Sequence, residues 1–130
     1  MGMKFKAPGV GDLMEPVEDG TYLAAVKKVF GKEDMGKVNI FFIWTIREED
    51  SNEYGRDVFQ AFIDLENPDM DFGRENLAQT LKALDVELVD DSFDEDDVIG
   101  CEGLITVKQR IDENTGEVRV GVNRVAAPPK

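Results

Sequence analysis

The alternation of apolar and polar side chains is clearest at residues 37–47, where it predicts a β-strand with large apolar groups on both faces. One face is wholly apolar and is expected to lie in the core: Val38, Ile40, Phe42, Trp44 and Ile46. The other face mixes an aromatic and an aliphatic group with small polar groups and a cation: Asn39, Phe41, Ile43, Thr45 and Arg47. A strand covered on one side only should be polar on its second face. This mixed face therefore suits either a base-stacking surface or a surface that another element covers.

Four further segments alternate with the same period and are predicted as strands at about 21–30, 56–65, 102–111 and 117–125. In the segment 56–65, the polar side chains of Gln60 and Asp64 mark one face as the outer one. Phe62 shares that face by alternation, so we expect it on the outer surface of the sheet. The apolar members of the other face are then expected in the core: Phe59, Ala61, Ile63 and Leu65.

Two helices are predicted between the third and fourth strands. Leucines at i, i+4 and i+7 indicate a helix over 72–84. A second, short helix is expected just before residue 100, because Ser92 and Glu95 have the spacing of a capping box. Gly100 suits the C-terminal end of that helix.

The predicted order of elements is strand, strand, strand, helix, strand, strand. This is the order of a five-stranded OB-fold-like barrel, a partly open Greek-key arrangement with a helix between strands three and four. We therefore expect a mainly β fold with one or two short helices. Barrels of this kind bind oligonucleotides or oligosaccharides on the face of strands two and three.

The chain is expected to form one domain, since 130 residues are enough for one core. Residues 1–19 are rich in proline and glycine and are predicted to be an extended N-terminal arm, anchored by Phe5 or Leu13. The OB-fold-like domain then spans 20–125, and residues 126–130 form a flexible tail.

The charge of the chain is strongly acidic but unevenly distributed. The sequence holds 28 acidic and 15 basic residues, a net charge of −13. Residues 64–97 alone hold 13 acids and two bases, so most of the excess lies in that segment. The predicted strands are close to neutral and carry basic residues, so a local nucleic-acid surface remains open although a generally basic one is excluded.

The composition removes several classes of function. The chain has no histidine, and Cys101 is its only cysteine, so histidine-based catalysis, an internal disulfide and a cysteine zinc site are excluded. The acidic run 90–97 fits no EF-hand, because Glu95 falls where the loop needs glycine. No glycine motif for phosphate is present. We expect no enzymatic activity, no metal and no cofactor.

No apolar run approaches the ~20 residues that span a bilayer, and no signal-peptide pattern opens the chain. A cytoplasmic protein without a membrane partner is therefore expected.

Phe41 and Phe62 are predicted to form one aromatic platform, since neighbouring strands lie about 4.8 Å apart. Cations around strand two are expected to contact phosphates: Lys32, Lys37 and Arg47. A second basic cluster on the last two strands has the same expected role: Lys108, Arg110, Arg119 and Arg124. The alternatives are surface ion pairs for the cations, and an outer face covered by the arm, the short helix or a partner subunit.

Several short motifs resemble those of a family of small phage proteins found beside recombination and replication genes. They are Glu18-Asp19-Gly20-Thr21-Tyr22, a Lys-Gly loop into an apolar strand, Gly55-Arg56, Leu81-Lys82-Ala83-Leu84 and Val98-Ile99-Gly100. The resemblance covers about residues 18–125. It implies an OB-fold and binding of single-stranded DNA, as in some relatives, and no catalytic residues. The acidic segment 85–97 departs from the family, and the ending Pro128-Pro129-Lys130 lacks the acidic tip through which many such proteins recruit partners.

These observations predict a protein of phage DNA replication or recombination that binds single-stranded DNA without strong sequence preference. The expected contacts are Lys32, Lys37, Phe41, Arg47, Phe62, Lys108 and Arg110. Its expected partners are single-stranded DNA, replication or recombination proteins, and a second copy of itself. The alternative is a protein-interaction or oligomerisation module that uses the same outer face.

Overall fold

The computed structural model describes residues 2–6, 15–69 and 71–129. Its strands are β1 (Gly20–Asp34), β2 (Lys37–Ile46), β3 (Asp57–Phe62), β4 (Glu102–Ile111) and β5 (Val118–Ala126). Its helices are α1 (Phe72–Ala83) and α2 (Glu95–Val98), both between β3 and β4. The prediction of a mainly β fold with two short helices, in this order, is confirmed.

All five strands belong to one antiparallel sheet, in the order β3-β2-β1-β4-β5. The long strand β1 connects the two halves, because its first residues pair with β4 and its later residues pair with β2. Among the described residues no hydrogen-bonded ladder joins the edge strands β3 and β5, so the sheet is not closed. The two edges nevertheless approach each other, since a methyl group placed on Gly121 of β5 would lie 3.8 Å from the Phe59 carbonyl oxygen of β3.

The core lies on one face of the sheet, and α1 packs against it. Phe42, Trp44 and Ile46 are fully buried, which confirms the predicted core face of β2. Leu81 and Leu84 bring the apolar side of α1 onto the same cluster. Burial of each such side chain contributes on the order of 1.5–3 kcal/mol.

The predicted orientation of β3 is wrong. Phe62 is only 1% exposed and makes an edge-to-face contact with Phe42, with ring centroids 5.0 Å apart. Its cross-strand partner is Ile40, and directly opposed residues share a face of the sheet. Phe59 therefore lies on the outer face, where it is 54% exposed.

Gln60 explains the error, because it is a polar side chain inside the core. Its amide oxygen accepts a hydrogen bond from the Trp44 indole Nε1 at 3.0 Å, and its Nε2 donates to the Thr80 hydroxyl at 3.1 Å. A buried polar group with its hydrogen bonds satisfied is compatible with a core position. The polarity of Gln60 was therefore a misleading sign that its side of β3 is the outer face.

The short helix α2 is not capped as predicted. Asp94 occupies its N-cap and makes no side-chain hydrogen bond to the helix, so the Ser92–Glu95 capping box is wrong. Ser92 instead closes a tight turn, since its backbone N–H donates to the Val89 carbonyl oxygen and its carbonyl oxygen accepts from the Val89 N–H. Gly100 follows the helix with φ +91°, a left-handed conformation that favours glycine.

The last residues of the N-terminal arm are tied to the domain. Val17 is 3% exposed, and its carbonyl oxygen accepts a hydrogen bond from the Gln109 side chain at 2.9 Å. Phe5 is 82% exposed, so it does not anchor the arm, and Leu13 lies outside the described residues. Residues 127–129 form no regular element after β5. None of the helices in the described part of the chain is long and apolar enough to cross a membrane.

Candidate nucleic-acid interface

The outer face of the sheet carries a groove of about 590 Å³ along the line where β3 and β5 approach each other. We call this cavity the outer groove. Aromatic and small apolar side chains line it on the side of β2, β3 and α1: Phe41, Phe59, Ala61 and Phe72. Cations line it on the side of β4 and β5: Lys108, Arg110 and Arg119. The two kinds of chemistry that bind single strands, flat apolar surfaces and positive charge, therefore share one cavity.

The aromatic side of the outer groove combines free and supported rings. Phe59 is 54% exposed and Phe72 is 69% exposed, so both rings have free faces. Phe41 is half-buried and stacks on Phe30 of β1, with ring centroids 5.1 Å apart and an interplanar angle of 20°. The Lys28 ammonium in turn lies 5.6 Å from the centroid of the Phe30 ring. The stacked pair fixes the orientation of Phe41.

The close approach of α1 to β3 positions Phe72. Gly73 is buried, and a methyl group on it would overlap the carbonyl oxygen of Ile63, just beyond β3. The first turn of α1 can lie this close to β3 only because residue 73 has no side chain. Phe72 consequently stands at the edge of the outer groove beside the strand that carries Phe59.

The basic side of the outer groove is built by cross-strand pairs. Lys108 lies opposite Gly121, and Arg110 lies opposite Arg119, so these side chains share the outer face of β4 and β5. Among the described residues, neither Lys108 nor Arg110 forms a salt bridge or a side-chain hydrogen bond. Their charges are therefore available to a ligand.

Arg119 is partly neutralised by the turn that joins β4 and β5. Its Nε lies 3.3 Å from Oδ2 of Asp112. Backbone N–H groups of Asn114 and Thr115 donate to the Asp112 carboxylate and lower its pKa, so this residue stays ionised at neutral pH. Lys108 and Arg110 consequently supply most of the available positive charge in the outer groove.

Some of the predicted site residues line the outer groove, and others lie elsewhere in the structure. Phe41, Lys108 and Arg110 all line the outer groove. Lys32 and Lys37 are exposed on the β1–β2 hairpin beyond the Phe30–Phe41 pair and do not line the groove.

Arg47 and Phe62 are not part of the outer groove. Arg47 lines a separate cavity of about 760 Å³ at the opposite end of β2, together with Lys27 and Tyr54. Phe62 points into the core, because β3 has the opposite orientation to the one predicted. The prediction that Phe62 forms an aromatic platform with Phe41 is therefore wrong.

Sequence reasoning missed two of the groove aromatics. Phe59 was assigned to the core, although the charged Asp57 shares its face by alternation and was a signal for the correct orientation. Phe72 was read only as the start of a helix, and no local pattern places it beside β3.

No residue of the acidic segment 85–97 lines the outer groove. Asp91 and Glu95 line a shallow cavity together with Phe30 and Phe93.

Comparison with known proteins gives no family assignment. The chain matches no family model, and no curated protein is significantly similar to it in sequence.

Proposed function

We propose that this protein binds single-stranded DNA in the outer groove, largely without sequence preference, as a protein of phage replication or recombination. The observation that carries the proposal is the juxtaposition of exposed Phe59 and Phe72 with unpaired Lys108 and Arg110 in one cavity. The resemblance to phage proteins motivates the biological setting, which stays a prediction.

An OB-fold is the architecture proposed for the domain. The strand order β3-β2-β1-β4-β5 is that of a five-stranded Greek-key barrel opened between β3 and β5. The helix α1 between β3 and β4 has the place expected of it in that fold. Opening along this seam leaves the outer groove between the two edge strands.

The mechanism combines stacking with phosphate contacts. Stacking a base on an aromatic side chain contributes about 1–3 kcal/mol and depends little on sequence, because every base has a flat π face. Phe59 and Phe72 offer such faces, and Lys108 and Arg110 lie across the groove where the backbone of a bound strand would carry its charge. A duplex hides the faces of its bases, so this surface favours single strands. The net charge of −13 repels nucleic acid from the remaining surface.

The proposal is tested by fluorescence anisotropy of a labelled oligo-dT titrated with the protein at low and moderate salt. We expect affinity for the single strand that falls as salt rises, and much weaker binding of a duplex of equal length. An absence of binding at low salt, or equal affinity for the duplex, would contradict the proposal.

A protein interface is the second candidate for the same surface. Phe59, Ile63 and Phe72 are large, apolar and at least half exposed, which is typical of surfaces that contact another protein. Analytical ultracentrifugation distinguishes the two candidates. A stable dimer that persists when oligo-dT is added would favour the interface, whereas a monomer that binds oligo-dT would favour the DNA-binding proposal.

A further inference from the structure

Two carboxamide side chains, Asn76 of α1 and Asn123 of β5, line the outer groove together with its aromatic and basic side chains. Asn76 lies one helical turn after Phe72, so the two residues share a face of α1. Asn123 has no partner on β4, because the register shifts from Val122 to Arg124, so it is the extra residue of a β-bulge and lines the groove from there. Neither residue has a role in the stacking and phosphate contacts proposed above.

The two amides differ from the other carboxamides of the same helix and sheet. Gln79 of α1 donates to the Val125 carbonyl oxygen, and Gln60 of β3 bridges Trp44 and Thr80. Within the described part of the chain, neither Asn76 nor Asn123 makes a side-chain hydrogen bond, although Asn76 is half-buried. The amide atoms of Asn76 are not buried, because no side-chain nitrogen or oxygen is buried without a partner among the described residues. With no partner inside the protein, the Asn76 donor and acceptor are available to a ligand in the groove.

We infer that Asn76, assisted by Asn123, hydrogen-bonds to the edges of stacked bases and gives the protein a preference among nucleobases. This inference rests on the proposed function. The composition of the groove supports it, because it brings together an aromatic ring, an amide and a cation, which can contact the ring, the edge and the phosphate of a nucleotide respectively. A carboxamide offers an N–H donor beside a carbonyl acceptor, and this pattern matches the N6 and N7 positions of adenine.

If the amides contact base edges, the affinity of the protein depends on which base is bound. Base stacking alone gives only modest preferences among homopolymers, and these are unchanged by removal of an amide, while loss of an edge contact changes the ratio between them. A well-placed bidentate amide contact discriminates by a factor of about five or more, converted from the discrimination energy of such pairs. Phosphate contacts act equally on all sequences. The ratio of affinities therefore reports on the amides and not on the cations.

The experiment measures the affinities of oligo-dA, oligo-dC and oligo-dT of equal length for the wild type and for Asn76→Ala, Asn123→Ala, Lys108→Ala and Asn52→Ala. Asn52 is an exposed carboxamide in the β2–β3 loop and does not line the groove, so it is the matched control. Alanine has high helix propensity, so α1 should remain folded in the Asn76 variant, and circular dichroism checks this. Self-stacking of each free oligonucleotide is common to all variants and cancels when their ratios are compared.

We expect the wild type to favour oligo-dA over oligo-dT, and Asn76→Ala to reduce that ratio about fivefold. Lys108→Ala should weaken binding to all three oligonucleotides by the same factor, and Asn52→Ala should change nothing. A ratio that is the same in the wild type and in both groove-amide variants would overturn the inference and leave the proposed function standing. If the wild type binds none of the three oligonucleotides, the proposed function fails and the inference fails with it.

Discussion

Phe59 and Phe62 are three residues apart on β3 and point to opposite faces of the sheet. An odd separation along a strand places one side chain in the core and the other on the surface. The two phenylalanines consequently have different roles, one in packing and one in the outer groove. Substituting each of them with alanine tests that division directly.

Phe62→Ala should destabilise the protein by about 3–5 kcal/mol, because it leaves a cavity beside Phe42 in the core. Phe59→Ala should change the free energy of unfolding by less than about 1 kcal/mol, because its ring is exposed. Trp44 is the only tryptophan and is fully buried, so its fluorescence during urea denaturation reports the transition. The reverse ranking of the two variants would contradict the orientation of β3 described above.

At the level of strands and helices, periodicity was enough to find the five strands and α1, whereas the short helix α2 was predicted from a capping box that the structure does not contain. The fourth strand was predicted with its observed bounds. The first strand is longer than predicted, because residues from Gly31 to Asp34 pair with β2, and no local pattern shows that pairing. Polarity gave conflicting signals for the orientation of β3, because Asp57 marks one face as the outer one and Gln60 marks the other. The hydrogen bonds that allow Gln60 inside the core come from Trp44 and Thr80, far along the chain. Only part of the candidate site could be predicted, because some of its residues are brought there by contacts between elements distant in sequence. Phe41, Lys108 and Arg110 follow from alternation, whereas Phe72 and Asn76 enter through the packing of α1 on β3.

Gly73 allows α1 to lie close to the end of β3 because it has no side chain, and Gly73→Ala tests this close approach. Its new methyl group would overlap the Ile63 carbonyl oxygen, a backbone atom that cannot rotate away. We expect a loss of about 1–3 kcal/mol in the free energy of unfolding, although alanine has the higher helix propensity. Ala78→Gly, at an exposed position in the same helix, is the control and should cost about 1 kcal/mol through propensity alone. A stabilised Gly73→Ala variant would show that α1 does not need this close approach.

Asp57 connects three neighbouring strands. Its carboxylate accepts hydrogen bonds from Lys27 Nζ of β1 at 2.9 Å and from Thr45 Oγ1 of β2 at 2.8 Å. Partial burial acts to raise the pKa of Asp57, but the hydrogen bonds from Lys27 and Thr45 outweigh it and lower the pKa below its usual value. A carboxyl group with a lowered folded-state pKa stabilises the protein above its unfolded-state pKa, which is about 3.9, and loses that contribution as the pH falls through the folded-state value.

Asp57→Asn should therefore be less stable than the wild type at pH 7, and the difference should shrink as the pH falls below about 4. Urea denaturation of both proteins at a series of pH values measures this. Asp50→Asn, at an exposed position in the β2–β3 loop, is the matched control and should leave stability at pH 7 nearly unchanged. A difference between the Asp57 variant and the wild type that stays constant from pH 7 to pH 3 would contradict the role of the ionised carboxylate.

For the molecule as a whole, strong acidity and DNA binding are compatible only if the positive charge is local. The net charge is −13, while the described walls of the outer groove carry Lys108, Arg110 and Arg119. The number of phosphates neutralised, and not the net charge, sets the number of counterions released on binding. The salt dependence of binding therefore counts the cations that contact the strand.

Because Asp112 partly neutralises Arg119, the slope of log K against log salt should lie between about −1.4, for two phosphate contacts, and about −2, for three. Lys108→Ala should bring the slope closer to zero by about 0.7, which corresponds to one phosphate contact. Lys82→Ala, an exposed lysine in the last turn of α1, should leave it unchanged. These slopes are measured by anisotropy titrations over a range of salt concentrations. A Lys108→Ala slope equal to that of the wild type would place the backbone of the bound strand elsewhere.

The most direct test of the outer groove compares the affinity of Phe59→Ala/Phe72→Ala for oligo-dT with that of the wild type and of Tyr54→Ala. Both phenylalanine rings are exposed, so their removal should leave the fold intact, and Tyr54 is an exposed aromatic residue in the separate cavity that contains Arg47. Loss of two stacking contacts should weaken binding at least about tenfold, while the Tyr54 variant should bind as the wild type does. Equal affinity of all three proteins for oligo-dT would contradict the assignment of the outer groove as the binding site.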